Sequence, residues 1–113
     1  MPDAPFSLSV SQEGDHATVL TLSGPLVISG MFELQNALRQ ASSKLVVVDL
    51  TQVPYMDSSG MGALLNGYVH AEKDGRKLVV AGVNDRVGAL FQLTKVDSLL
   101  HRYPDAKSAV ASN

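Results

Sequence analysis

Residues 55–65 read YMDSSGMGALL and set an acid directly before two adjacent hydroxyls. A serine in such a place can attack a carbonyl, receive a phosphoryl group, or cap a helix, and Asp57 can accept hydrogen bonds from the free N–H groups of a first helical turn. Attack needs a base. DSSG is not the G-x-S-x-G elbow, and nothing in the sequence marks His16, His70 or His101 as the base of Ser58. Neither a G-x-x-x-x-G-K-[ST] loop nor a kinase catalytic-loop pattern occurs, so the chain shows no equipment for holding ATP and Mg²⁺. An aspartyl-phosphate receiver at Asp57 would need further acids spaced to hold a divalent ion, and none are. Two readings stay open on the residues alone. Asp57 and Ser58 simply cap a helix, or Ser58 is an address that another protein phosphorylates.

The elements that must position these residues follow an α/β rhythm. Phe6, Leu8 and Val10 alternate with Ser7, Ser9 and Ser11, which predicts a strand with the apolar set inward. A turn centred on Gly14 returns it through HATVLTLSG as an antiparallel hairpin. After Gly24 and Pro25, Ser29 stands as the start signal of a helix that carries Met31, Leu34, Leu38 and Ala41 on one face and ends at Ser42 and Ser43. KLVVVDL is a continuous β-branched run, as expected of a central parallel strand covered on both faces. A second helix starts at Ser58, with Met61, Leu64, Leu65, Tyr68 and Val69 on its inner face and a stop at Asp74 and Gly75.

KLVVAGV predicts another buried strand, and NDRVGALFQL a third helix capped by Asn84 or Asp85 with Val87, Leu90 and Phe91 inward. A short strand near Leu99 and a last helix opened by Pro104 and Asp105, with Ala106, Ala109 and Val110 on one face, close the chain. Right-handed crossovers make the strands near 45–50 and 78–83 parallel neighbours in a mixed sheet. Functional groups in such sheets gather beyond the carboxyl ends of the strands, which is where Asp57, Ser58 and Ser59 fall.

At 113 residues the chain is expected to form a single domain over 1–113, with an ordered core of about 5–111. A net charge of -2 without a Lys/Arg cluster argues against direct nucleic-acid binding. The absence of cysteine excludes disulfides and thiolate metal sites, and the three histidines are too dispersed to suggest zinc, so neither metal nor cofactor is expected. The N-terminus shows no signal-peptide pattern and no apolar run approaches a membrane span, which predicts a soluble cytoplasmic protein.

A phosphate on Ser58 would meet opposing local effects. The helix N-terminus favours an anion by about 0.3–1 kcal/mol, and repulsion from Asp57 at the surface is of similar order. Burying the added charge at an interface, by contrast, costs several kcal/mol unless cations meet it. Phosphorylation is therefore expected to act on binding rather than on folding.

VVVDLTQVPYMDSSGMGALL closely resembles the signature of the STAS-domain anti-sigma factor antagonists of bacteria, in which a strand ending in Asp leads by a short link to Asp-Ser-Ser-Gly at a helix start. The likeness extends from the early hairpin ending LSG through DGRKLVVAGVNDRVGALFQLT to YPDAKSAVAS. It implies a non-enzymatic STAS domain and a partner switch. Asp49 and Asp57 match the motif acids, and Ser58 matches the serine phosphorylated by a partner that is both anti-sigma factor and serine kinase of the histidine-kinase-like ATPase type. A serine phosphatase acting on phospho-Ser58 would reverse the modification. The unphosphorylated form would bind the kinase and free a sigma factor through Asp57, Ser58, Ser59, Gly60 and Met61, with Gly60 and Gly62 as the small residues of the helix start. Gly60 would let a partner approach the backbone closely.

Two departures occur: GPLVIS, with Pro25 and Val27, stands where relatives often carry a polar or acidic residue and then an Asp after the early glycine, and Thr94-Lys95-Val96 stands where they often have TGL after the third helix. Other STAS domains serve as lipid ABC transporter partners, in stress-signalling complexes, or in secretion and chemotaxis control, which is the alternative class for this chain.

Overall fold

The computed structural model describes residues 5–113. Residues 1–4, included above in the expected domain and read for a leader, lie outside the described residues. The elements run β1 (Ser7–Glu13), β2 (Ala17–Ser23), α1 (Ile28–Gln40), β3 (Leu45–Gln52), α2 (Ser58–Lys73), β4 (Lys77–Ala81), α3 (Asp85–Leu93), a 3-10 turn at Val96–Ser98, β5 (Arg102–Tyr103) and α4 (Ala106–Ala111). They build one five-stranded sheet in the order β1-β2-β3-β4-β5. The β1/β2 pair is antiparallel and every other pair is parallel. This is the mixed α/β architecture, with four helices, that the strand and helix periods predict.

The β-branched run of β3 lies in the middle because both its faces are covered. Val46, Val48 and Leu50 pack under α1, α2 and α3 with Leu34, Leu38, Leu64 and Phe91, while Leu45 and Val47 pack with Val79 and Ala109 of α4 on the other side. Each fully buried Leu or Val contributes about 1.5–3 kcal/mol, so this double cover anchors the strand whose end carries the DSSG motif. Gly14, at φ +65°, makes the tight β1/β2 turn that an L side chain would strain.

Several expectations shift. Val10 is 60% exposed rather than inward, because β1 is an edge strand and α1 stands off from it, leaving a groove between Leu8, Val10 and Gln12 and the helix residues Glu33, Asn36 and Gln40. Ser29 does not precede α1. The helix begins at Ile28 after Val27, which offers no side-chain cap, and Ser29 lies in the first turn. Val69 is 47% exposed, and Ala71 takes the inner position on α2 instead. Asn84, not Asp85, caps α3, accepting the Val87 N–H at 2.8 Å. The last strand falls at Arg102–Tyr103 rather than near Leu99, because Lys95 turns into the left-handed region (φ 62°) and the following 3-10 turn buries Val96 and Leu100 first.

Candidate functional site

Two connections meet beyond the carboxyl ends of β2 and β3. The Gly24 N–H donates to the Gln52 carbonyl at 3.0 Å, the Leu26 N–H to Tyr55 at 3.1 Å, and the Asp57 N–H returns to the Leu26 carbonyl at 3.2 Å. Leu26 and Met56 thus form a parallel bridge outside the main strands, and Leu26 is fully buried. A third connection is tied in by Asn84, whose Nδ2 donates to the carbonyls of Val53 (3.1 Å) and Pro54 (3.3 Å). The guanidinium of Arg86 lies 4.7 Å from the centre of the Tyr55 ring. Cation–π contacts of this kind contribute about 0.5–1 kcal/mol at exposed sites. The start of α2 therefore rises from a braced platform.

Asp57 is the N-cap of α2. One carboxylate oxygen, Oδ1, accepts the N–H groups of Ser59 (2.9 Å) and Gly60 (3.1 Å), and the Asp57 carbonyl takes the Met61 N–H at 3.0 Å. The Ser59 and Gly60 N–H groups, which a bare helix start would offer to a phosphate, are thus already satisfied by Asp57. Ser58, the first residue of the helix, is exposed, and its hydroxyl makes no hydrogen bond among the described residues. Ser59 is half-buried and its hydroxyl is equally unbonded there. The capping reading is realised on Asp57 alone, and Ser58 plays no part in the cap.

Gly60 and Met61, implied by the resemblance to face a partner, do not offer themselves to one. Met61 is 2% exposed and belongs to the core, in the place its helical spacing assigned it. A Cβ on Gly60 would stand 2.5 Å from the Leu26 carbonyl oxygen, so the smallness of Gly60 serves an approach within the chain rather than an approach from outside. Gly62 is the reverse: a Cβ there would meet nothing within 4 Å. Asp49 is half-buried and is engaged within the chain. Its Oδ1 accepts the N–H (3.0 Å) and the hydroxyl (2.6 Å) of Thr51, fixing the end of β3, and Gly82 packs closely on that same threonine.

Leu26, Asn84 and Arg86 carry no site signal in the sequence, since each reaches the motif only through a connection distant along the chain. Asn84 was visible as a helix cap but not as a brace. No cluster of three or more His, Cys, Asp or Glu able to hold a metal occurs among the described residues, and among them no helix is long and apolar enough to cross a membrane. What the arrangement offers is an exposed, unengaged hydroxyl beside a carboxylate whose accepting capacity is partly committed.

Residues 9–101 match the family model described as Mlab, STAS domain. A Staphylococcus aureus protein named anti-sigma-B factor antagonist is 33% identical over 69 residues, which are 61% of this chain and 64% of that protein. The chain thus matches somewhat less than two thirds of that relative's length. The protein of the same name from Staphylococcus epidermidis is 32% identical over 83 residues, 71% of this chain and 77% of that protein. The crystal structure of an anti-sigma factor antagonist from Mycobacterium paratuberculosis superposes with a TM-score of 0.84 at 21% identity, covering 96% of this chain and 93% of that one, which extends the likeness of fold to nearly all of both. With its signature helix start, its mixed five-stranded sheet and a family match spanning most of its length, the chain belongs to the STAS domain family.

Proposed function

We propose that this protein is a cytoplasmic anti-sigma factor antagonist that switches partners through Ser58. Unphosphorylated, it binds an anti-sigma serine kinase and frees the sigma factor that kinase holds. Phosphorylated on Ser58, it releases the kinase, and a serine phosphatase restores it. The protein is the substrate of this chemistry and not its catalyst. The names of the staphylococcal relatives support the assignment.

The observation that carries it is the contrast between Asp57 and Ser58. Asp57 spends its Oδ1 on the helix N–H groups while the neighbouring hydroxyl stands exposed and unbonded. A phosphoserine carries about −1.5 to −2 charge at pH 7. With the nearest N–H donors engaged by Asp57, that charge finds little compensation inside the domain. It is presented outward beside an existing carboxylate, where a docked partner would have to desolvate both. Asp57, Ser58 and Ser59 are the contact residues in this scheme, with Gly60 and Met61 holding the helix start from within.

Incubation with the anti-sigma serine kinase and ATP, followed by mass-spectrometric mapping, is expected to place one phosphate on Ser58. Calorimetry with the same kinase is expected to show Ser58→Asp binding about 30-fold to 1,000-fold more weakly than wild type, equivalent to roughly 2–4 kcal/mol, with Ser58→Ala still binding. A phosphate on Ser59 or Asp57, no phosphate at all, or a Ser58→Asp variant that binds like wild type would overturn the proposal. A kinase that modifies Ser58 but holds no sigma factor would transfer the switch to one of the other STAS assemblies.

A further inference from the structure

A groove of about 380 Å³ opens between α1 and α2. Its floor is apolar: Leu38 meets α2 at Gly67, where a Cβ would stand 2.6 Å from the Leu38 Cδ1, and the buried Ala63 lies alongside. Its rim carries basic groups from both helices, Arg39 in the last turn of α1 with His70 and Lys73 in the last turn of α2. Among the described residues no acid lines it. Glu33 lines the groove on the other side of α1, Glu72 pairs with Tyr68, and Asp74 is held by Arg76 at 3.3 Å.

The basic groups of the rim are also unengaged. Three of the four arginines are held within the chain: Arg76 donates to the Ala41 carbonyl and to Asp74, Arg86 lies over Tyr55, and Arg102 meets Asp97 and Phe91. Arg39 is the exception. Among the described residues its side chain, like those of His70, Lys73 and the groove residues Gln35 and Asn66, makes no hydrogen bond or ion pair. Cations in a last turn suit the negative end of a helix dipole, which accounts for the sign of these residues. It does not account for their convergence, from two helices, on one concave surface without a counter-charge.

We propose that this groove binds a small soluble phosphomonoester with an apolar body. The charges match, since a phosphomonoester carries about −1.5 to −2 at pH 7 and Arg39 with Lys73 supplies a positive pair. The planar fork of Arg39 suits two phosphate oxygens, Lys73 adds a point charge with its own donors, and the His70 ring and the Gln35 and Asn66 amides add further N–H groups. The body of the ligand lies on Leu38 and Ala63 and against Val69, which is 47% exposed in the free domain, and takes that apolar surface out of water. The groove is at the small end of the range for ligand pockets, so the body is of about one ring. A bilayer fits less well, because the basic groups line a concavity and Val69 is the one strongly exposed large apolar side chain among the groove's residues. His70 follows Ser58 by twelve residues, about 18 Å along α2 at the helical rise, so the groove is filled with the phosphoacceptor still open, and the inference stands independently of the partner switch.

Phenyl phosphate, a ring joined to the proposed head group, is the probe. Titrated into isotope-labelled wild-type protein in about 0.1 M salt, which screens loose ion pairing, it is expected to shift the amide resonances of Leu38, Ala63, Gly67 and His70 with a Kd of about 1 mM or below. Inorganic phosphate, which lacks the ring, and phenol, which lacks the charge, are each expected to bind at least about tenfold more weakly. Arg39→Gln combined with Lys73→Gln is expected to weaken phenyl phosphate by at least about tenfold while the circular dichroism spectrum stays that of the folded domain, since neither side chain has a partner among the described residues. No shift in the groove up to about 10 mM probe overturns the proposal, as do shifts centred elsewhere on the domain. A double variant that binds like wild type also overturns it, and so does inorganic phosphate binding as tightly as phenyl phosphate, which would reduce the groove to ion pairing with any anion. Co-sedimentation with phosphatidylglycerol vesicles without binding of phenyl phosphate would assign the basic groups to a membrane surface and overturn it as well. If the double variant fails to fold, Lys73→Gln decides: an unchanged affinity for phenyl phosphate overturns the site.

Discussion

Gly60 and Gly62 stand two residues apart in the first turns of α2, in opposite surroundings. A methyl group on Gly60 would press on the Leu26 carbonyl at 2.5 Å and on its side chain at 2.8 Å, whereas one on Gly62 would enter open space. A helix of 3.6 residues per turn turns two such positions to different faces, and it sets Ser58 and Gly62, four apart, on the same one. The inner face of this helix start is devoted to the fold: Gly60 and Met61 are buried, and Gly60 lets the α2 backbone close on residue 26. The outer face carries an unbonded serine and a glycine that costs the helix about 1 kcal/mol relative to alanine with no contact in the free domain to account for it. On the proposed switch, this outer face is the one a partner meets.

The largest effect that can test this contrast is Gly60→Ala. The contact it creates is with backbone, which cannot swing aside, so the bridge between Leu26 and Met56 must open or α2 must shift. A loss of about 3 kcal/mol is expected after the helix-propensity gain is set against the overpacking. That corresponds to a fall of roughly 12 °C in Tm for a domain of this size, read by thermal unfolding. A Gly60→Ala protein as stable as wild type would mean that the two connections can part without cost, and the braced platform would lose its meaning.

Gly62→Ala is the same chemical change with the opposite expected sign. Stability should rise by about 0.5–1 kcal/mol because the methyl group meets nothing and the unfolded chain loses freedom. Binding to the anti-sigma kinase should weaken, since the methyl group projects on the Ser58 face. Thermal unfolding beside calorimetric titration separates the two. A stability loss would show that Gly62 has an internal role after all, and unchanged binding together with a gain in stability would detach Gly62 from the partner surface.

This division was only partly legible in the sequence. The start of α2 at Ser58 and the central place of β3 followed from local signals, an Asp-Ser start signal before an apolar helical period and a β-branched run that only a doubly covered strand tolerates. The helical period also assigned Met61 inward, while the family likeness set it among the partner residues. Burial at 2% sides with the period. Gly60 could not be read from any local pattern, because its neighbour Leu26 is 34 positions away and enters through a loop bridge. The same limit explains Val10 and Val69. Alternation and helical spacing say which face a residue shares, but not whether another element covers that face, and at the β1 edge the covering helix stands off. The strand at Arg102–Tyr103 was placed too early because the left-handed turn at Lys95 falls on a residue type with no special liking for it.

Ser59→Ala is the smallest expected effect and bears most directly on whether the two hydroxyls differ in kind. Its Oγ makes no hydrogen bond among the described residues, so the substitution removes no bonded partner, and the Ser59 N–H that Asp57 accepts belongs to the backbone and is kept. The stability of the free domain should therefore change by less than about 0.5 kcal/mol, below roughly 2 °C in Tm. Phosphorylation should proceed on Ser58 as in wild type, because Asp57 still fixes the helix start and the exposed hydroxyl is untouched. Ser58→Ala should be as quiet in the melt and yet take no phosphate. If Ser59→Ala instead loses more than about 1 kcal/mol, its hydroxyl is engaged in solution. If it melts normally but is no longer modified, Ser59 takes part in recognition by the kinase, and the outer face begins one residue later than the exposure of Ser58 suggests.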